Sequence, residues 1–175
     1  MRAIVYRGDS ILQRIAEEVP LSEIDSAQIH EVIQDMKTTL HREKFGVAIA
    51  APQIGISLRI FVVGGHVFAS RSGEEFDPKV HKDHVFINPE IVKASKKTVI
   101  GDEGCLSVPG KYGTKVKRSE KVTILYYDER GKCHTRGASS FLSRIFQHEI
   151  DHLNGILYID NAIEVIDVDD ELKPI

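Results

Sequence analysis

The sequence predicts an α+β fold, with antiparallel or mixed β-sheets gathered around one central helix. Only two long stretches repeat their apolar residues at helical spacing, residues 24–43 and 139–153. Between them lie short β-branched runs bounded by Gly, Pro or Asp, the punctuation of strands and turns. Helical and extended stretches do not alternate, which argues against a parallel α/β sheet. The second helical stretch contains His148-Glu149-Ile150-Asp151-His152, and the rest of the chain makes most sense arranged around it.

The elements follow in chain order. Residues 1–20 begin extended; Asp9 or Ser10 then caps a brief helix over 11–15, and Pro20 closes it. Within 24–43, Ile29, Val32, Ile33, Met36 and Leu40 recur at three- and four-residue steps and form a core-facing stripe. Residues 45–53 are small and apolar, a strand with Pro52 at its exit. Such a strand either packs buried or, as an edge lined by Gly and Ala, accepts an extended peptide. Residues 59–63 form a second strand. Residues 66–83 read as a long exposed loop, in or beside which His66, His81 and His84 lack ligand spacing. Residues 85–88 and 91–92 are further strand, broken at Pro89.

The weakly basic stretches 93–97 and 111–121 read as solvated faces. Residues 121–127 and 132–136 form a hairpin about the Asp/Gly cluster at 128–131. Ser139 or Ser140 caps the second long helix, and Gly155 supplies its stop. Residues 165–175 read as a frayed acidic tail. No repeat or linker divides 1–175, which reads as a single catalytic domain.

Composition excludes some partners. Hydrophobic residues make up 42%, charged residues 28%, and the net charge is −3, so no general basic field exists for DNA or an anionic membrane. No apolar run approaches the ~20 residues that span a bilayer. No apolar leader opens the sequence, so a cytosolic protein is expected, with Cys105 and Cys133 unpaired. Cys133 is given no chemistry.

On a helix, His148 and His152 stand one above the other and aim at one point. Glu149 is offset by ~100° and reaches a water held there. A metal hydrolase is the leading expectation, and a third ligand is needed. Gly155 keeps the metzincin register, but Tyr158 stands where that pattern has its third histidine. Glu164 and Glu171 lie downstream without a convincing helix to carry them. Cys105 is preferred on chemistry: a thiolate with two imidazoles leaves a fourth position open, as catalytic sites do. The alternative is an inert, buried cysteine.

Gly46–Gln53 (GVAIAAPQ), Glu103–Ser107 (EGCLS) and Gln147–His152 (QHEIDH), in this order, resemble the peptide deformylase family. Residues 8–12 and 108–110 are similar too, and the resemblance spans roughly residues 4–161. It implies a peptide deformylase-like fold and a metal-dependent amidohydrolase. That enzyme would remove the formyl group from N-formylmethionyl peptides and nascent polypeptides, releasing formate. It implies Cys105, His148 and His152 as metal ligands and Glu149 as general acid/base. It also implies Gln53 and the backbone N–H of Leu106 as oxyanion donors. The implied native metal is ferrous iron (Fe2+), with Zn2+, Ni2+ or Co2+ able to occupy the site; Cys/His₂ alone suits zinc. A bacterial-type cytoplasmic location and transient ribosome contact go with it.

Phe141 and Ile145, seven and three residues before His148, either wall a pocket with Val47 or pack the core. Gly46, Val47, Ala48 and Ile49 would pair with the substrate backbone. Arg118 is the family-like partner of Asp151, although residues 110–118 run one residue longer than the usual pattern. Ala48 stands where the family usually has glycine. Two alternatives remain: a zincin-type endopeptidase whose metal site ignores Cys105→Ser, and a weakly active relative that merely binds N-termini.

Overall fold

The computed structural model describes residues 2–169, 171, 173 and 174, and all structural statements concern these. Eight strands occur in chain order: β1 (Ala48–Ala50), β2 (Ile60–Val63), β3 (His84–Ala94), β4 (Thr98–Glu103), β5 (Lys111–Ser119), β6 (Lys121–Tyr127), β7 (Cys133–Ser139) and β8 (Glu164–Asp167). The helices are α1 (Ala27–Leu40), α2 (Gly65–Ser72), α3 (Ser140–Leu153) and the single turn α4 (Tyr158–Asn161). One sheet has the order β1-β2-β3-β6-β7 and the other β4-β5-β8. All ladders within them are antiparallel. The α+β expectation holds.

Every residue of β2 is buried, because the larger sheet is covered on both faces. Period-two alternation sends Phe61 and Val63 into one apolar layer, with Leu142, Ile145 and Phe146 of α3. It sends Ile60 and Val62 into the other, with Ile29, Ile33 and Met36 of α1. Phe61, Phe86 and Phe146 knit α3 to the sheet, with ring centroids 4.5 Å apart for Phe61–Phe86 and 5.0 Å for Phe86–Phe146. Fully burying one such side chain contributes about 1.5–3 kcal/mol, so these rings anchor the helix rigidly. Ser26 caps α1, its Oγ accepting from Ile29 N at 3.3 Å. At the far end of α3, Gly155 takes φ 75°, and any Cβ there would sit 2.7 Å from the Gln13 carbonyl carbon. Glycine is thus required twice over, for the turn and for the close approach.

Several expectations need correction. Residues 66–83 are not simply a loop: α2 starts after Gly64, buries Val67 and Ala69, and ends at Gly73 with φ 75°. At eight residues it is too short to show a periodic stripe. Only Ala48–Ala50 of residues 45–53 is strand, since Pro52 initiates a 3₁₀ turn over Ala51–Ile54. Pro89 does not break β3; a bulge between Ile87 and Glu90, with Asn88 at φ 48°, carries the strand past it. Residues 111–119 are a paired strand with Val116 and Arg118 buried. The start of the tail is not frayed. Residues 164–167 pair with β5, and the buried Val168 donates its N–H to Gly110 O at 3.0 Å.

Candidate active site

The α3 helix presents the two histidines from a fixed position. Gln147 is buried; its Nε2 donates to Ser119 O at 3.0 Å and its Oε1 accepts from Ser119 N at 2.9 Å. Ser143 Oγ donates to the same carbonyl at 3.0 Å. This polar stitch fastens α3 to the end of β5. One helical turn separates His148 from His152, whose ring centroids lie 4.9 Å apart. Cys105, in the turn after β4, brings its Sγ to 3.2 Å from His152 Nε2. One ligand atom from each of Cys105, His148 and His152 lies within 4.8 Å of the others, the one such group among the described residues. A soft sulfur and two imidazole nitrogens converging at half-buried and buried positions fit a divalent metal ion.

Glu103 explains how His148 is aimed. Its Oε2 lies 2.9 Å from His148 Nδ1, so the ring's proton on Nδ1 leaves Nε2 free to ligate. Arg118 grips the same carboxylate with two hydrogen bonds, Nε to Oε1 at 2.8 Å and Nη2 to Oε2 at 2.9 Å. Arg144 Nη1 adds a third at 2.8 Å to Oε1. Burial works against the charge of Glu103, yet Arg118 and His148 outweigh it and hold the carboxyl well below the usual range. Sequence reasoning assigns Glu103 and Arg144 no role. The visible signal was a carboxylate two residues before the favoured cysteine.

Arg118 also donates to Asp151 on α3, so the pairing left in doubt by the longer stretch does form. The extra residue is absorbed by a bulge: Gly101 pairs with Val116 but Glu103 with Gly113, and Lys115 takes φ 58°. Arg118→Ala strands two carboxylates, one of them buried, and is expected to cost about 3–5 kcal/mol, read as a lower denaturant midpoint.

A cavity of about 460 Å³ opens over this cluster, and Gly46, Val47, Ala48, Phe141 and Ile145 contribute to its walls. Because β1 is the outermost strand of its sheet, the stretch beside the cavity is also a free edge. Ile145 is both wall and core, at 4% exposure, whereas Phe141 stands at the rim at 57%. Ile49 offers the cavity side only its backbone, which is what pairing with a substrate strand uses. Alternation turns its side chain to the α1 side, where it is fully buried and away from the cavity. Gln53 is buried, with Nε2 donating to Cys105 Sγ at 3.4 Å and Ser107 Oγ at 3.2 Å, while Oε1 accepts from Ala50 N at 2.8 Å. Leu106 follows Cys105 and also borders the cavity.

Glu149 borders the cavity too, and its Oε2 is buried with no hydrogen-bond partner. Burial pushes its carboxyl up to about 7, with His148 pulling in the opposite direction. Such a group takes and returns a proton near neutral pH.

Residues 1–166 match the family model described as polypeptide deformylase. The chain belongs to the peptide deformylase family. A peptide deformylase of Fusobacterium nucleatum is 43% identical over 153 residues, which are 87% of this chain and 79% of that protein. One from Thermus thermophilus is 39% identical over 156 residues, 87% and 78% of the two chains. Among solved structures, the class I type b peptide deformylase of Acinetobacter baumannii with Met-Ala-Ser bound aligns at TM-score 0.79 and 34% identity, covering 92% of this chain and 98% of that one. Its actinonin-bound form aligns at TM-score 0.79 and 36% identity, covering 93% and 98%.

As a peptide deformylase, the chain is a metal-dependent hydrolase that removes the N-formyl group from N-formylmethionyl peptides. The endopeptidase and N-terminus-binder readings give way to it. No helix among the described residues is long and apolar enough to cross a membrane.

Proposed function

We propose that Cys105, His148 and His152 hold the metal ion, ferrous iron in the native protein, with Glu149 as general acid/base and Gln53 and Leu106 N–H as oxyanion donors. The convergence of the Cys105 sulfur and two imidazoles beside the buried Glu149, inside one cavity, carries this reading. The substrate is met on nascent chains at the ribosome, in the cytoplasm, and residues 1–175 act as one catalytic domain.

A divalent ion in this trio supplies Lewis acidity and brings the pKa of water down, to ~7 in favourable zinc sites. The chain's own residues do the rest. The first side chain of the substrate lies against Val47, Ile145 and Phe141, and its backbone pairs along the free edge at Gly46 to Ile49. A chain end bound so would bring its formyl group to the part of the cavity lined by Cys105, His148 and Glu149. As water attacks that carbon, Glu149 Oε2 takes the proton. The negative charge on the formyl oxygen is met by Gln53 Nε2 and Leu106 N–H. Glu149 then delivers its proton to the departing nitrogen as the C–N bond breaks, leaving formate and a free amine.

The decisive experiment is formate release from formyl-Met-Ala-Ser under anaerobic conditions, with metal analysis of the same sample. Fully metallated protein that released no formate would sink the reading. Iron-loaded protein is expected to lose activity in air faster than zinc-loaded protein, through oxidation at the thiolate site. Gln53→Ala is expected to lower kcat about 10²–10³-fold with metal retained, the usual effect of losing one oxyanion donor. An unchanged kcat would remove Gln53 from the mechanism.

A further inference from the structure

Arg144 sits on α3 one turn before His148, and its side chain does not behave like a surface arginine. Only 11% of it is exposed. Besides Glu103, its Nη1 reaches Val116 O at 3.2 Å and Gly101 O at 3.4 Å, and its Nη2 reaches Val99 O at 3.4 Å. The guanidinium therefore spans β4 and β5 and ends on the carboxylate that holds His148. Gly101 makes room for it: a Cβ there would lie 2.8 Å from Arg144 Nη2 and 3.1 Å from Cζ.

Each oxygen of Glu103 has two partners. Oε1 accepts from Arg118 Nε and Arg144 Nη1, and Oε2 from Arg118 Nη2 and meets His148 Nδ1. The two arginines are placed differently. Arg118 grips the carboxylate from β5 and is tied to Asp151, so it joins sheet to helix. Arg144 approaches from α3 itself, from the element that carries His148. The carboxylate is thus fixed to the ligand's own helix as well as to the sheet opposite. Arg118 fixes the plane of the carboxylate with its two-bond grip, and Arg144 adds a direct tie from Oε1 to the helix that carries His148.

We infer that Arg144 is a positioning residue: acting through Glu103, it locks the direction of His148 Nε2 and so sets how tightly and in what geometry the metal is held. This rests on the proposed Cys105/His148/His152 site. A carboxylate holding a ligating histidine typically affects metal affinity by 10–100-fold, and Arg144 governs how rigidly that carboxylate stands.

The test is titration of metal-free protein with Co2+, followed by its d–d and thiolate-to-cobalt bands. Arg144→Met keeps the apolar stem and is expected to weaken Co2+ binding by about 10-fold, the low end of the range for losing the carboxylate itself, and to shift the d–d envelope. Arg144→Lys, which reaches one carboxylate oxygen, should recover part of the affinity. Gly101→Ala leaves α3 untouched yet forces the guanidinium aside, and should weaken Co2+ binding in the same direction by less. It keeps the test open should Arg144→Met fold poorly. A wild-type spectrum without a thiolate band would overturn the metal-site reading and this inference with it. A normal wild-type spectrum, with Kd and bands unchanged in Arg144→Met and Gly101→Ala while only Tm falls, would overturn this inference alone.

Discussion

Glu149→Ala is expected to lower formate release about 10²–10⁴-fold while the metal stays bound, since that is the range for removing a placed acid/base group. The carboxyl borders the cavity, is pushed up to about 7 mainly by burial, and keeps Oε2 without a hydrogen-bond partner. None of these properties helps the fold. A buried oxygen without a partner costs free energy, commonly about 1–3 kcal/mol. Alanine removes that cost and leaves a small cavity in exchange, so Tm should change little. The expected pattern is therefore activity lost, metal kept and stability kept, measured by formate assay, metal analysis and thermal melting. Loss of metal with the activity would make Glu149 a ligand. Activity near wild type would remove it as the base.

The contrast between Glu149 and Glu103 also shows what a sequence can reveal. His148, Glu149 and His152 were legible because one helix sets their geometry, and helical spacing can be read locally. Glu103 stands two residues from Cys105, yet its work is invisible along the chain. Its partners Arg118, Arg144 and His148 lie 15, 41 and 45 residues away, joined only when β4, β5 and α3 pack. The fold divides in the same way. Ile29, Ile33 and Met36 announced α1, and the short apolar, β-branched run at residues 60–63 announced a strand. The α2 turn pair and the β8 pairing did not announce themselves: one is too short for a period, and the other depends on an edge that β5 offers from a distance. Bulges account for two more misreadings, Pro89 in β3 and the extra residue before Arg118. Each inserts a positive-φ residue, Asn88 or Lys115, that no hydrophobic pattern marks.

Cys105→Ser separates the remaining chemical possibilities most sharply. Serine keeps the size of the side chain, so the turn after β4 and the packing of Leu106 and Val108 should persist. What disappears is a thiolate, the soft ligand that distinguishes this trio from a two-histidine site. A serine hydroxyl is a far weaker acid and a poorer ligand for iron or zinc, because ligands bind in their deprotonated form. The variant is expected to fold, to emerge without stoichiometric metal, and to release no formate at the metal concentrations that saturate the wild type. Metal should also fail to raise its Tm, whereas in the wild type it should raise Tm through preferential binding to the folded state. A metal site that survived Cys105→Ser would need a third ligand elsewhere. Among the described residues no further cluster of that kind lies near His148 and His152. Retained metal would thus overturn the ligand assignment, and retained metal together with retained formate release would show that Cys105 shapes the turn without touching the ion.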